Sequence, residues 1–273
     1  MVFKFHQDAQ QQFDQQRLVT DNTIIPFIES AFPLREGLHV LEIGCGEGGV
    51  IKAFVDRGCI GTGIELDEQR YTRAEHLLQE ELQQGRVRLI RNDIYSVGID
   101  KDFESGFHLV ILKDVIEHIP DQERLLRRLA GFLQPGGVIF VSFPPWQMPF
   151  GGHQQVCDSK VLSLTPYLHL LPALLYRGVL NLFGETEKKI EQLLEVKRTG
   201  ISLERFERLA VKAGFGLIKR TLYLINPIYQ FKFGLKPRQQ FRLITGLPYF
   251  RDLLTTCGYY LARPEAPQPA TSG

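Results

Sequence analysis

The chain has 273 residues, 44% of them apolar and 23% charged, with a formal net charge of +1. That is room for one large α/β domain with an elaboration, and the near-zero balance excludes a global field that would attract nucleic acid. The four cysteines, Cys45, Cys59, Cys157 and Cys257, are far apart and form no C-x-x-C pair, so no disulfide framework and no zinc site is expected, only reduced thiols in a cytoplasmic protein.

Residues 1–19 are polar and Gln-rich, with Phe3, Phe5 and Phe13 scattered through them. They read as a partly ordered arm or as an arm that closes over a ligand, and no apolar secretory leader is expected. A helix is predicted over 21–32, capped by Thr20 or Asp21. Strand one, 38–43, runs into a glycine-rich turn and a helix at 48–57 that Gly58 stops. Strand two, 60–64, ends at Glu65. A helix follows over 68–83, then strand three over 87–90 with Asn92 and Asp93 after it. Strand four is 107–112. A helix opens at Pro120 and Asp121, the turn Gln134-Pro135-Gly136-Gly137 follows it, and strand five is 138–143.

This strand–helix alternation predicts a mostly parallel sheet with helices on both faces and ligands at the carboxyl ends of its strands. After Pro144-Pro145-Trp146 the alternation stops. The stretch from Val161 to Phe183 is Leu-rich, but Pro166, His169, Pro172, Arg177 and Gly178 interrupt it. No transmembrane span is expected from it; a surface-associated or substrate-covering role stays open, peripheral membrane contact included. A helix near 185–198 and one from Ser202 to Gly214 lead to strand six, 216–225. An aromatic and basic insertion, 226–254, precedes a last strand over 255–262. Two final strands without an intervening helix suggest an antiparallel edge hairpin.

The turn Gly44-Cys45-Gly46-Glu47-Gly48-Gly49 satisfies G-x-G-x-x-G, and Glu65 stands about twenty residues on, as in a dinucleotide fingerprint. Glu42 argues against that reading, because a dinucleotide-binding strand carries an apolar residue there. A carboxylate at that place suits a ligand with an ammonium group. Asp93 is placed to bind an adenine amino group, or to serve as a turn residue.

Together these stretches resemble class I S-adenosylmethionine-dependent methyltransferases of the small-molecule, type-11-like kind. Val40-Leu41-Glu42-Ile43-Gly44-Cys45-Gly46-Glu47-Gly48 is similar to the family's first motif, Gly63-Ile64-Glu65-Leu66-Asp67 to its second-strand motif and Asn92-Asp93-Ile94 to its adenine-contacting motif. Phe107 to Leu112 followed by Asp114-Val115-Ile116-Glu117-His118-Ile119, and Leu133-Gln134-Pro135-Gly136-Gly137, match the strand-four motif and the turn before strand five. The resemblance covers roughly residues 38–143 and neither insertion.

The resemblance implies a Rossmann-like, seven-stranded, mostly parallel sheet over 36–262; composition and pattern add an N-terminal arm and helix (1–35), insertions at 144–200 and 226–254 expected to form a substrate lid, and a tail (263–273) expected to be disordered. The resemblance implies S-adenosyl-L-methionine as cofactor and S-adenosyl-L-homocysteine as product. Glu42, Gly44, Cys45 and Gly46 are implied to hold the methionine part and Glu65 the ribose hydroxyls. Leu66 is implied to pack on adenine, Asp93 to accept from its amino group and Ile94 to pack beside it. Lys113 is expected near the methionine end or the substrate mouth.

The expected acceptor is a small, partly apolar molecule methylated at oxygen, by a monomer or homodimer. A hydroxyl acceptor gains from a base, and His118 and His153 are the two candidates. His169 reads as packing. No metal is expected, since His118, His153 and Asp158 lack ligand spacing. A nicotinamide-dependent oxidoreductase and a non-catalytic cofactor-binding protein are the competing readings.

Overall fold

The computed structural model describes residues 8–98, 102–103 and 105–265. Its strands are β1 (His39–Ile43), β2 (Ile60–Glu65), β3 (Val87–Arg91), β4 (Phe107–Lys113), β5 (Leu133–Phe143), β6 (Phe215–Ile225), β7 (Arg238–Gln239) and β8 (Cys257–Pro264). They form one sheet in the order β3-β2-β1-β4-β5-β8-β6-β7. β1 through β5 are mutually parallel. β8 runs antiparallel between β5 and β6. The strand order reverses between β1 and β4, which opens the crevice where ligands bind in such sheets.

Alternation along the central strands sorts side chains onto two faces. Leu41, Val110, Leu112, Ile139 and Val141 point to one face. There they meet Leu125 and Leu129 of the helix Gln122–Ala130 and Phe206 of the helix Leu203–Lys212. Val40, Leu109, Ile111 and Phe140 point to the other, against Ile24, Phe27, Val50 and Phe54. Asp121 and Ser202 cap those two helices through Arg124 N–H and Arg205 N–H. A separate small core of Cys157, Leu162, Tyr176, Leu180, Ile190 and Leu193 holds the helices that follow β5.

Several boundaries differ from the sequence expectation. The sheet has eight strands, because Arg238–Gln239 inside the second insertion adds a short edge strand against β6. The antiparallel strand β8 is interior, between β5 and β6, so it is covered on both edges. It continues to Pro264, two residues into the expected tail. The remaining tail, 266–273, and Phe3 and Phe5 lie outside the described residues. The N-terminal helix begins at Ala9 behind the Asp8 cap. It passes through a π-turn, Thr20–Ile24, into Ile25–Glu29. Thr20 and Asp21 are therefore interior and cap nothing. Phe13 is buried against Ile51, Val55 and Leu78, and that contact orders the Gln-rich stretch.

Phe140 is fully buried and meets Phe27 and Tyr259 edge-on. Phe140→Ala should cost about 3–5 kcal/mol, read as a lower urea midpoint with an unchanged denaturant slope.

Candidate active site

The carboxyl ends of β1, β2, β4 and β5 bring the site together. Gly44 turns the chain with φ 69°, and its N–H donates to the Ile64 carbonyl at 2.8 Å. A Cβ at Gly44 would lie 2.6 Å from Val115 Cγ2, so glycine is required by both conformation and space. The turn is then tied to β2: Gly46 N–H donates to Glu65 Oε2 at 2.8 Å, and Asp67 N–H donates to Oε1 at 2.9 Å.

Glu42 is buried at the end of β1, and its Oε2 has no hydrogen-bond partner. Burial pushes its pKa well up, and only the Lys113 ammonium and the Ile51 N–H oppose that. A buried carboxyl oxygen without a hydrogen-bond partner is a group that a ligand's ammonium could satisfy. Cys45 is buried too. Burial, and then the negative Glu42 and Glu65, push its thiol well up, so it packs against the turn and is no nucleophile.

The adenine side is more open. Leu66 is 69% exposed, an uncovered apolar platform next to Glu65. Asp93 Oδ1 accepts from Tyr95 N–H at 2.8 Å, which closes a turn. Ile94 is buried in the core. These residues fit a methionine–adenosine ligand: an unpaired acid for its ammonium, an acid for its ribose, and an apolar face for its base.

Lys113, buried at the end of β4, is paired with the Asp114 carboxylate. Asp114 occupies the left-handed region at φ 55°, a conformation disfavoured for a residue with a Cβ. His118 follows in the next turn, and His153 reaches the same place from the loop after β5. Their rings meet edge-on at 5.3 Å between centroids. Glu117 joins them, with the ligating atoms of all three within 4.8 Å of one another. Glu117 is buried, its Oε2 lacks a partner, and burial and then Asp114 push its pKa well up. Burial pulls the His118 pKa down, so its imidazole is neutral at pH 7. Asp158, the third member considered from sequence, is instead paired with Lys189.

His169 stands apart from this cluster. Its Nε2–H donates to the Trp146 carbonyl at 2.7 Å. Its Cβ lies where a side chain at Gly152 would go, at 2.2 Å. The glycines before His153 thus let the loop pack on His169 and Trp146.

Sequence reasoning placed Asp114 among the polar residues at the strand ends but did not single out Glu117, though both stand in the quoted strand-four motif. It left the stretch from Tyr229 to Arg238 open between contact with an anionic substrate and a solvated rim, the rim slightly favoured. The helix Tyr229–Phe233 instead faces the site. Burial raises the Tyr229 hydroxyl to about 12, with the Cys257 and Asp114 charges adding to it. Lys232 is pulled down by burial and by repulsion from Lys113.

A family model described as a methyltransferase domain matches residues 14–196, well over half of the chain, and the chain belongs to that family. A ubiquinone biosynthesis O-methyltransferase from Coxiella burnetii is 31% identical over 118 residues, which cover 43% of this chain and 48% of that protein. The chain spans about half the length of the curated relatives it matches. Among solved structures, magnesium protoporphyrin IX methyltransferase from Synechocystis, determined with bound S-adenosylhomocysteine, superposes with a TM-score of 0.54. It is 15% identical, over 95% of this chain and 88% of that one. The [4+2]-cyclase SpnF superposes with a TM-score of 0.53 and 14% identity, over 92% and 81%. These likenesses bear out the expected fold, and the cyclase shows that one architecture carries different chemistries.

Two outcomes follow. Gly44→Ala should abolish binding of S-adenosylhomocysteine in calorimetry, because the turn cannot close; unchanged affinity would mean that the turn is not the cofactor cradle. His169 is pulled from 6.5 down to about 4 by burial. A lowered folded-state pKa contributes stability that is whole above pH 6.5 and lost as the pH falls toward 4. The loss should reach about 3 kcal/mol in urea titrations across that window, and His169→Gln should flatten it.

Proposed function

We propose that the chain transfers a methyl group from S-adenosyl-L-methionine to a hydroxyl oxygen of a small, partly apolar acceptor, releasing S-adenosyl-L-homocysteine. The observation that carries this reading is the buried Glu42 Oε2, without a hydrogen-bond partner, beside a glycine turn held by Glu65. Family membership and the O-methyltransferase relative support it, and family membership replaces the nicotinamide-dependent reading. Four buried free cysteines support a reducing, cytoplasmic setting. Among the described residues no helix is long and apolar enough to cross a membrane.

In this reading Glu42, Gly44, Cys45 and Gly46 hold the methionine part and Glu65 holds the ribose. Leu66, Asp93 and Ile94 hold the adenine, with Lys113 at the methionine end. The cofactor supplies an electrophilic sulfonium methyl. The chain's task is to place the acceptor oxygen in line and to exclude water. The insertions 144–200 and 226–254 act as the lid over 36–262, with Tyr229 and Lys232 at the acceptor mouth. His153 takes the acceptor proton, and His118, whose ring meets it edge-on, positions it. A neutral imidazole is the form a base requires.

His153→Ala should lower kcat about 10²–10⁴-fold on a panel of ring-hydroxylated apolar acceptors while the affinity for S-adenosylhomocysteine stays unchanged. Unchanged turnover would remove the base. The same assay should be indifferent to EDTA. A loss restored by Mn²⁺ or Zn²⁺ would reassign Glu117, His118 and His153 to a metal.

A further inference from the structure

The large apolar side chains exposed among the described residues are concentrated in the two insertions. Leu174 and Leu182, on the helix Ala173–Leu182, are 86% and 82% exposed, and Leu243 is 85% exposed. Leu175, Leu247 and Phe250 are exposed as well. The helix Ala173–Leu182 is anchored from beneath, where Tyr176 and Leu180 are fully buried in the small insertion core. Its outward leucines are therefore held out by a packed underside and do not belong to a loose segment. The two insertions meet where the Tyr167 hydroxyl donates to the Leu253 carbonyl at 2.9 Å.

Charge on the same stretches has one sign. No Asp or Glu occurs from Ser159 to Gly184 or from Asn226 to Arg251. Of the basic residues there, Arg177 and Arg251 are neutralised by Glu187, Glu191, Glu204 and Glu207. Lys160, Lys236, Arg238 and Arg242 make no ion pair among the described residues. Arg238 lies over the exposed Phe241 ring at 5.7 Å, an apolar group and a cation presented together.

We propose that this face seats on an anionic phospholipid bilayer surface. Leucines and aromatics enter the headgroup region, and the unpaired lysines and arginines meet lipid phosphates, the combination that holds interfacial proteins without a span. The complementary charge favours a lipid surface over a second copy of this chain, whose own face would bring like charges together. The second insertion that would seat there also carries the helix Tyr229–Phe233, whose Lys232 lies within electrostatic reach of Lys113 and Asp114. An apolar acceptor dissolved in lipid then reaches the site without crossing water. The membrane contact itself does not depend on methyl transfer.

The test is co-sedimentation of the full chain with extruded vesicles of phosphatidylcholine alone or with phosphatidylglycerol. Binding should require phosphatidylglycerol and fall with added salt. Leu174→Ser combined with Leu243→Ser should lower partitioning by about tenfold or more. Lys236→Gln combined with Arg242→Gln should lower it by about fivefold for each charge removed. All four positions are exposed, and both variants should keep the wild-type melting temperature and affinity for S-adenosylhomocysteine. No vesicle binding by the wild type, or equal binding by both variants, overturns the proposal. So does a wild-type dimer in light scattering that the leucine variant converts to monomer, because the face then belongs to a second copy.

Discussion

The structure depends on one short contact, the hydrogen bond from Gly46 N–H to the Glu65 carboxylate at 2.8 Å. It joins the turn after β1 to the end of β2 and converts a flexible glycine loop into a rigid edge. Glu65 is buried and accepts from Asp67 N–H with its other oxygen. Each carboxylate oxygen has more than one lone pair, so the acid retains capacity for a ribose hydroxyl while it holds the turn. In the proposed reading, binding and folding share this residue.

Around that edge the chain gathers buried acids that the protein itself leaves incompletely bonded. Glu42 and Glu117 each keep an oxygen without a partner, and Ser142, paired in register with Lys113, keeps an unpartnered hydroxyl. Such groups are costly in a folded core. These three stand at the carboxyl ends of β1, β4 and β5. One groove, about 650 Å³, runs between Pro120 and the helix Glu187–Thr199 and is lined by Lys188, Glu191, Glu195 and Arg198. It is a charged surface channel beside the site, and no residue of the glycine turn lines it.

Local pattern made much of this legible. Strand periodicity, the glycine turn, Glu42, Glu65 and the caps at Asp121 and Ser202 are written in short stretches, because each depends on neighbours within a few residues. The Gln-rich start of the helix was not legible in the same way: its order comes from Phe13 packing on Ile51 and Leu78, contacts distant in the chain. The strand Arg238–Gln239 was hidden for a similar reason, since two residues carry no period and are strands only because β6 lies beside them.

By itself, the sequence determined the sheet class, the donor-type glycine turn and the family resemblance, all of them properties of local spacing. Only the tertiary structure decided that Glu117 joins His118 and His153, that Tyr229 and Lys232 face the site, and that the apolar insertions present leucines outward over a core of their own. The physical reason is that burial and charge pairing are set by residues tens of positions apart. Lone acids, histidines and leucines look alike in a string and differ only once their neighbours in space are known.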